Sequence, residues 1–169
     1  MQSVLQQIPS AGSHWLHQFT RWALAEWKQI RISRIQSQSR NGDSEAEYRL
    51  ALLYESGEMH PPSPHTGLQL LTHAAFAGVP AAQVQLAFKY KDGNGVLSNA
   101  VEAVVWFRKA AEMGHAEAQF QLGQSLAHGI GCETDLAHGI RWLRRAVRQG
   151  HGEAADLLSI LSNESALAA

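Results

Sequence analysis

Twelve residues from Ala46, AEYRLALLYESG, return as AQVQLAFKYKDG from Ala82 and as AQFQLGQSLAHG from Ala118, each 36 residues after the last. A second motif keeps the same period: GLQLLTHAAFAG from Gly67, AVVWFRKAAEMG from Ala103 and GIRWLRRAVRQG from Gly139. A fixed period of this size specifies a stacked array, in which each unit exposes an apolar face that only its neighbour can cover. Both motifs carry helical spacing, so the array is one of helix pairs and the chain is all-α.

The first motif is helix A of each pair and the second is helix B. Along helix A, Ala46, Leu50, Leu53 and Tyr54 recur at spacings of three and four, and Gly57, Gly93 and Gly129 fall just past the last turn, where a left-handed residue is wanted. Along helix B, Leu70, Trp106 and Trp142 form one column, Leu71, Phe107 and Leu143 the next, and Ala74, Ala110 and Ala146 a third. Gly78, Gly114 and Gly150 end these helices. Small residues in fixed columns let helices approach closely, and the aromatic columns fill the gaps between successive pairs, so both Trp106 and Trp142 are expected to be mostly buried. The polar A-to-B loop contains Pro61, Pro62 and Pro64 in the first unit, which stiffen it and shorten the start of its helix B.

An array needs caps at both ends. GEAADLLSIL repeats helix A, with Ala154 matching Ala118 and no helix B after it, so it reads as a terminal capping helix. Before the repeats, Trp15, Phe19, Trp22, Ala23, Trp27 and Ile30 sit near helical spacing and predict one or two helices between His14 and Ser39. Counting back 36 from Gly78 gives Gly42, which makes RISRIQSQSRNG a degenerate helix B. Trp15, Phe19 and Trp22 are expected to cover the open end of the first repeat or to be buried in a homodimer. The division that follows is an N-terminal helical cap over 1–42, three repeats over 43–151 and a C-terminal capping helix over 152–169.

The pattern A-x-x-x-L-(A/G)-x-x-Y-x-x-G, a G-x-G-V loop, then W-(F/L)-x-(K/R)-A-(A/V)-x-x-G resembles the Sel-one-like repeat family, a relative of the tetratricopeptide repeats. Residues 82–114 fit it most fully, with Leu86, Tyr90, Gly93, Gly95, Val96, Trp106 and Gly114 in place; the first unit departs from it at Pro61, Pro62 and Leu70. The resemblance spans roughly residues 43–161. It implies a right-handed alpha-alpha superhelix and a scaffold, adaptor or regulator, of the sort found in bacteria among others, that binds a protein or peptide partner.

Charge and motifs narrow the function. The net charge of −1 hides a basic leader: residues 1–42 carry Arg21, Lys28, Arg31, Arg34 and Arg40 against Glu26 alone, a net +4, and residues 43–169 a net −5. That distribution argues against a general nucleic-acid binder. No apolar run has the length of a membrane span, and the N-terminal residues lack a secretory signal pattern, which makes a cytoplasmic location the expectation. No phosphate loop, dinucleotide fingerprint or zincin motif occurs. His115 and His151 share a column and read as helix-start packing residues; His14 and His17 lack further ligands; His60 and His65 flank the proline loop. Cys132, with His128, Asp135 and His138 nearby in sequence, would need fixed mutual geometry and an oxyanion site to act as a nucleophile, and a loop between array helices rarely supplies these. The expectation is no enzyme activity, no cofactor and no metal.

The helix A positions that change from repeat to repeat are the candidate partner surface: Arg49, Leu52, Gln85, Phe88, Lys89, Gln121, Gln124 and His128, with Leu52 and Phe88 as apolar anchors. Arg141, Arg144, Arg145 and Arg148 form a second, basic stripe on the last helix B, suited to an acidic partner or phosphate. Three functions fit: a protein-interaction scaffold, its toxin-neutralising (immunity-type) variant, and a nucleic-acid or acidic-ligand binder that uses the arginine stripes.

Overall fold

The computed structural model describes residues 11–59 and 63–167, with side chains from 22 to 163 inside those bounds, and every regular element among them is an α-helix. In chain order these are α1 (Ala11–Arg40), α2 (Ser44–Glu55), α3 (Pro64–Phe76), α4 (Pro80–Asp92), α5 (Ala100–Glu112), α6 (Ala116–His128), α7 (Leu136–Arg148) and α8 (Gly152–Leu167). Helices α2, α4, α6 and α8 are the A members, and α3, α5 and α7 the B members. Each packs chiefly on its chain neighbours, so the pairs stack into a helical repeat superhelix.

The repeat is written into the helix ends. Ser63, Asn99 and Asp135, again 36 apart, each stand at the start of a helix B and accept backbone N–H bonds from Thr66, from Val101 and Glu102, and from His138. Such caps contribute about 1 kcal/mol each. Each helix B then stops at a glycine with positive φ: 93° at Gly78, 94° at Gly114 and 84° at Gly150. The next residue's N–H bonds to the alanine column, Val79 to Ala74 at 3.0 Å, His115 to Ala110 at 3.0 Å and His151 to Ala146 at 3.1 Å. Pro61 and Pro62 lie outside the described residues; Pro64 takes the first turn of α3, where its missing N–H costs nothing, so α3 is not shortened and has 13 residues like α5 and α7.

Packing follows the columns. Ala46, Ala82, Ala118 and Ala154 are fully buried, as are Ala74, Ala110 and Ala146. Leu71, Phe107 and Leu143 sit at the centre of successive layers. Trp106 is 4% exposed, but Trp142 is only half-buried. The cause is one residue outside the column: Phe76 meets the Trp106 ring edge-on at 4.9 Å, and the equivalent place beside Trp142 holds the exposed Glu112. Trp142 is covered instead by the guanidinium of Arg145, 4.4 Å from its ring centre.

At the N-terminus the register runs one unit further back than the recognisable repeats. Gly42 has φ 83°, and Asp43 N–H bonds to Gln38 O at 3.1 Å, the same closure as at Gly78, Gly114 and Gly150. The last turns of α1 therefore stand as a helix B, with Ile32 and Ile35 packed on Leu50, Leu53 and Met59. Of the side chains expected at this end, Trp22 does not cover the first repeat within this chain: it is 59% exposed, and Leu24, Trp27 and Ile30 also face outward. Trp15 and Phe19 lie outside the described side chains. The reason is length. No glycine or proline interrupts the chain from Ser13 to Arg40, so α1 runs unbroken for 30 residues against 13 in a helix B, and its first half overshoots the array.

Candidate functional site

Three polar contacts tie the helix A members to one another and define the face they share. Tyr48 of α2 has Gln85 of α4 as a polar neighbour: burial raises the phenol above its ordinary value, and the Gln85 side chain lowers it against that larger effect. Lys89 of α4 pairs with Glu55 of α2 at 2.6 Å. Lys91 of α4 donates to Gln121 of α6 at 3.0 Å. Position 49 of one repeat thus reaches the preceding helix A at its equivalents, Gln85 and Gln121, and position 53 does so at Lys89.

On this face the residues named from sequence have different surroundings. Arg49 is exposed, with Glu45 3.6 Å away. Leu52 is half-buried. Phe88 is also half-buried: one edge packs against Phe107, with ring centres 5.2 Å apart, and the Lys91 ammonium lies 5.7 Å from its ring. Lys89 is occupied by Glu55. Gln121 is buried, held between Lys91 and Glu117, to which it donates at 2.8 Å. Gln124 is half-buried, and the exposed His128 ring lies 2.9 Å from its carbonyl oxygen. The same 36-residue offset carries the Leu52–Phe88–Gln124 line on to Ile160 of α8, which is 53% exposed. Ile160 belongs to the face, and the column count alone would have found it.

The second stripe is separate. Arg141, Arg144, Arg145 and Arg148 are all exposed on α7 and make no ion pair among the described residues, and Arg145 is committed to the Trp142 ring. The histidines at the helix starts behave as packing groups. His151 stacks on Phe120 at 4.6 Å, lies 2.9 Å from a Glu117 oxygen, and accepts the Ala154 N–H at 3.3 Å. Burial holds the His115 imidazole below its ordinary value, against the pull of Glu117. For Glu117, burial pushes the carboxyl up, but hydrogen bonds from His151 and Gln121 outweigh it and the net direction is down.

Both shifts set a pH dependence. The His115 value in the folded chain lies below the ordinary 6.5, so the unfolded chain takes a proton first as pH falls. Stability from this group is complete above 6.5 and is lost on acidification below it. Glu117 acts in the same direction at lower pH, as its carboxylate is protonated. Urea unfolding across this range should show stability falling with acid, and His115→Gln should flatten the slope just below 6.5. An unchanged slope in the variant would show that His115 does not carry it.

Cys132, Asp135 and His138 come together with Arg108 and Trp142 around a hollow between α5 and α7. Burial raises the Cys132 thiol above its ordinary value, and its sulfur points to the Ile130 carbonyl at 3.8 Å. The His138 ring is held by Asp135 instead. A thiol kept protonated and away from the imidazole is not an activated nucleophile. Among the described residues no group of His, Cys, Asp and Glu is arranged to hold a metal ion, and no helix is long and apolar enough to cross a membrane. The side chains of His14 and His17, and His60 altogether, lie outside the described residues.

Comparison with known proteins agrees with the repeat register. The family model for the Sel1 repeat matches residues 44–78, 80–115 and 116–151. Among solved structures, a Sel1 repeat protein from Oxalobacter formigenes is similar with a TM-score of 0.74 and 29% identity, over 76% of this chain and 97% of that one. The c5321 protein, a protective antigen of uropathogenic Escherichia coli with an SLR fold, gives 0.66 and 28%, over 70% of this chain but 26% of its own length. The cysteine-rich protein B of Helicobacter pylori gives 0.57 at 15% identity, over 75% of this chain and 96% of that one, a likeness of fold. No curated protein matches the sequence.

Proposed function

The chain belongs to the Sel1 repeat family, whose members serve generally as non-enzymatic scaffolds for protein–protein interaction, and from that premise we propose that it binds a partner segment along its helix A face. One observation carries the reading. Leu52, Phe88 and Ile160 keep partly open apolar surface in a single column, in an array whose alanine columns and Leu71–Phe107–Leu143 column are closed to solvent. Partly exposed apolar groups bounded by Arg49, Gln85, Gln121 and Gln124 have the make-up of an interface centre with a polar rim.

The test is calorimetric titration of a partner captured from the native host. Phe88→Ala should weaken binding by about thirtyfold, the equivalent of roughly 2 kcal/mol for an anchor side chain. Because Phe88 also leans on Phe107, a thermal melt must accompany the titration to separate binding from folding. Arg144→Ala combined with Arg148→Ala should leave affinity unchanged. If that double variant loses affinity and Phe88→Ala does not, the partner docks on the basic stripe of α7 and the helix A reading is wrong.

A further inference from the structure

Every helix B in the interior of the array lies against the helix A of its own repeat at close range. A methyl added to Gly67 would meet Tyr54 Cβ at 3.0 Å, and one added to Gly139 would meet the Gly123 carbonyl at 2.8 Å. The equivalent position in α1 is Arg31, and no helix A precedes α1 within the described residues. On α2, Arg49 and Leu53 occupy the positions that reach a preceding helix A in α4 and α6, through Gln85, Gln121 and Lys89. Among the described residues they reach none here. Where a preceding helix A would pack, the described residues leave a hollow of about 490 Å³ between α1 and α2, with Arg31, Arg34 and Arg49 around Ile35, Leu52 and Leu53.

We propose that this slot takes an acidic amphipathic helix of a partner protein, seated where a preceding helix A would pack in the register of the array. The inference rests on the helix A face being a protein-binding surface, since Arg49 and Leu52 belong to both. Shape argues for a helix, because the walls are one face of α1 and one face of α2 in the register the array uses to hold a helix. Charge fixes the sign. Three guanidinium groups line the hollow and no carboxylate does. Arg34 has no ion pair among the described residues, and the nearest acids, 3.6 Å from Arg31 and from Arg49, are Glu58 and Glu45 at the margins. Arg31 stands in the small-residue column of Gly67, Ala103 and Gly139, and Arg34 in the apolar column of Leu70, Trp106 and Trp142; these substitutions exclude a closely packed apolar helix and suit one that brings carboxylates. Apolar surface also continues beyond the hollow. Arg31 and Arg34 are shared with a second depression along α1 that includes Leu24, Trp27 and Ile30, so a helix lying in the slot would cover these side chains too.

The experiment uses the full chain and two labelled synthetic helices. One has leucine at every third or fourth position with glutamate beside it; the other replaces each glutamate with lysine. In fluorescence anisotropy the acidic helix should bind at least about tenfold more tightly than its counterpart, and Arg34→Glu and Arg49→Glu should each weaken it by about tenfold or more. Arg144→Glu should leave binding unchanged, and thermal melts should show all three variants folded. Equal binding of both helices, or an equal loss in Arg144→Glu, would overturn the slot in favour of diffuse charge attraction. Self-association of the chain in sedimentation, abolished by Arg34→Glu, would overturn the partner assignment and give the slot to a second copy. Failure of the acidic helix to bind, with Phe88→Ala still weakening the captured partner, would remove the slot and leave the groove standing.

Discussion

Trp106→Ala is expected to lower the unfolding free energy by about 3–5 kcal/mol, the usual cost of emptying a large aromatic site in a core. The ring is 4% exposed, meets Phe76 edge-on at 4.9 Å, and has the Lys109 ammonium 4.0 Å from its centre. Removing it leaves a cavity on the face of α5 that the edge of Phe76 alone does not fill. Phe76, itself 70% exposed, would lose its edge-to-face partner and keep only the Lys109 ammonium, 5.7 Å from its ring centre. Since each repeat is stabilised by its neighbours, the loss should spread to the first and third units. At roughly 2–4 °C per kcal/mol for a chain of this size, the melt by circular dichroism should fall by about 10 °C. Trp142→Ala is the internal comparison: half-buried and covered by Arg145, it should cost distinctly less. Equal losses for the two tryptophans would mean that Phe76 does not provide the difference in cover.

What the sequence made legible follows from what a repeat constrains. A position that must be small in every unit, such as Ala46, Ala82, Ala118 and Ala154, is visible by comparing the chain with itself, and the structure buries all four completely. The positive-φ glycines are readable for the same reason, and the Ser63, Asn99 and Asp135 caps, seen only in the structure, keep the same period. Features that occur once have no internal copy to be compared with. Cover for Trp106 comes from Phe76, whose column holds Glu112 and Arg148 in later units, so the period hides it. The Lys89–Glu55 pair joins two columns in one interval of the array. Gly42 marked where the degenerate helix B of α1 ends, yet the overshoot of its first half, which leaves Trp22 and Trp27 outside, depends on helix length rather than on apolar spacing. On the helix A face, spacing placed Arg49, Leu52, Phe88 and Gln124 together; that Gln121 is buried and Lys89 is paired required the neighbouring helix. The slot beside α1 was not legible, because Arg31 and Arg34 mean something only once the space they border is known.

Gly139→Ala is expected to destabilise the third repeat, although helix propensity alone points the other way. In a helix interior alanine is favoured over glycine by about 1 kcal/mol. Here the added methyl would stand 2.8 Å from the Gly123 carbonyl oxygen and 3.1 Å from the Ala127 nitrogen, both backbone atoms of α6 that no rotamer change can move. The two helices must part, and overpacking of this kind costs about 1–3 kcal/mol. The steric term therefore exceeds the propensity term, with a net loss on the order of 1 kcal/mol. The other repeats show how the pair is tuned. The facing positions are Ala51 and Gly67 in the first unit and Ala87 and Ala103 in the second, whereas the third alone has two glycines, Gly123 and Gly139, and so brings its helices nearest. Gly152, with no atom within 4 Å of an added methyl, is the control, and Gly152→Ala should leave stability equal or slightly raised. Paired urea titrations of the two variants decide the matter. A Gly139→Ala protein as stable as the Gly152→Ala protein would mean that α6 and α7 separate freely, and that the close approach in this column is not what holds the last helix pair together.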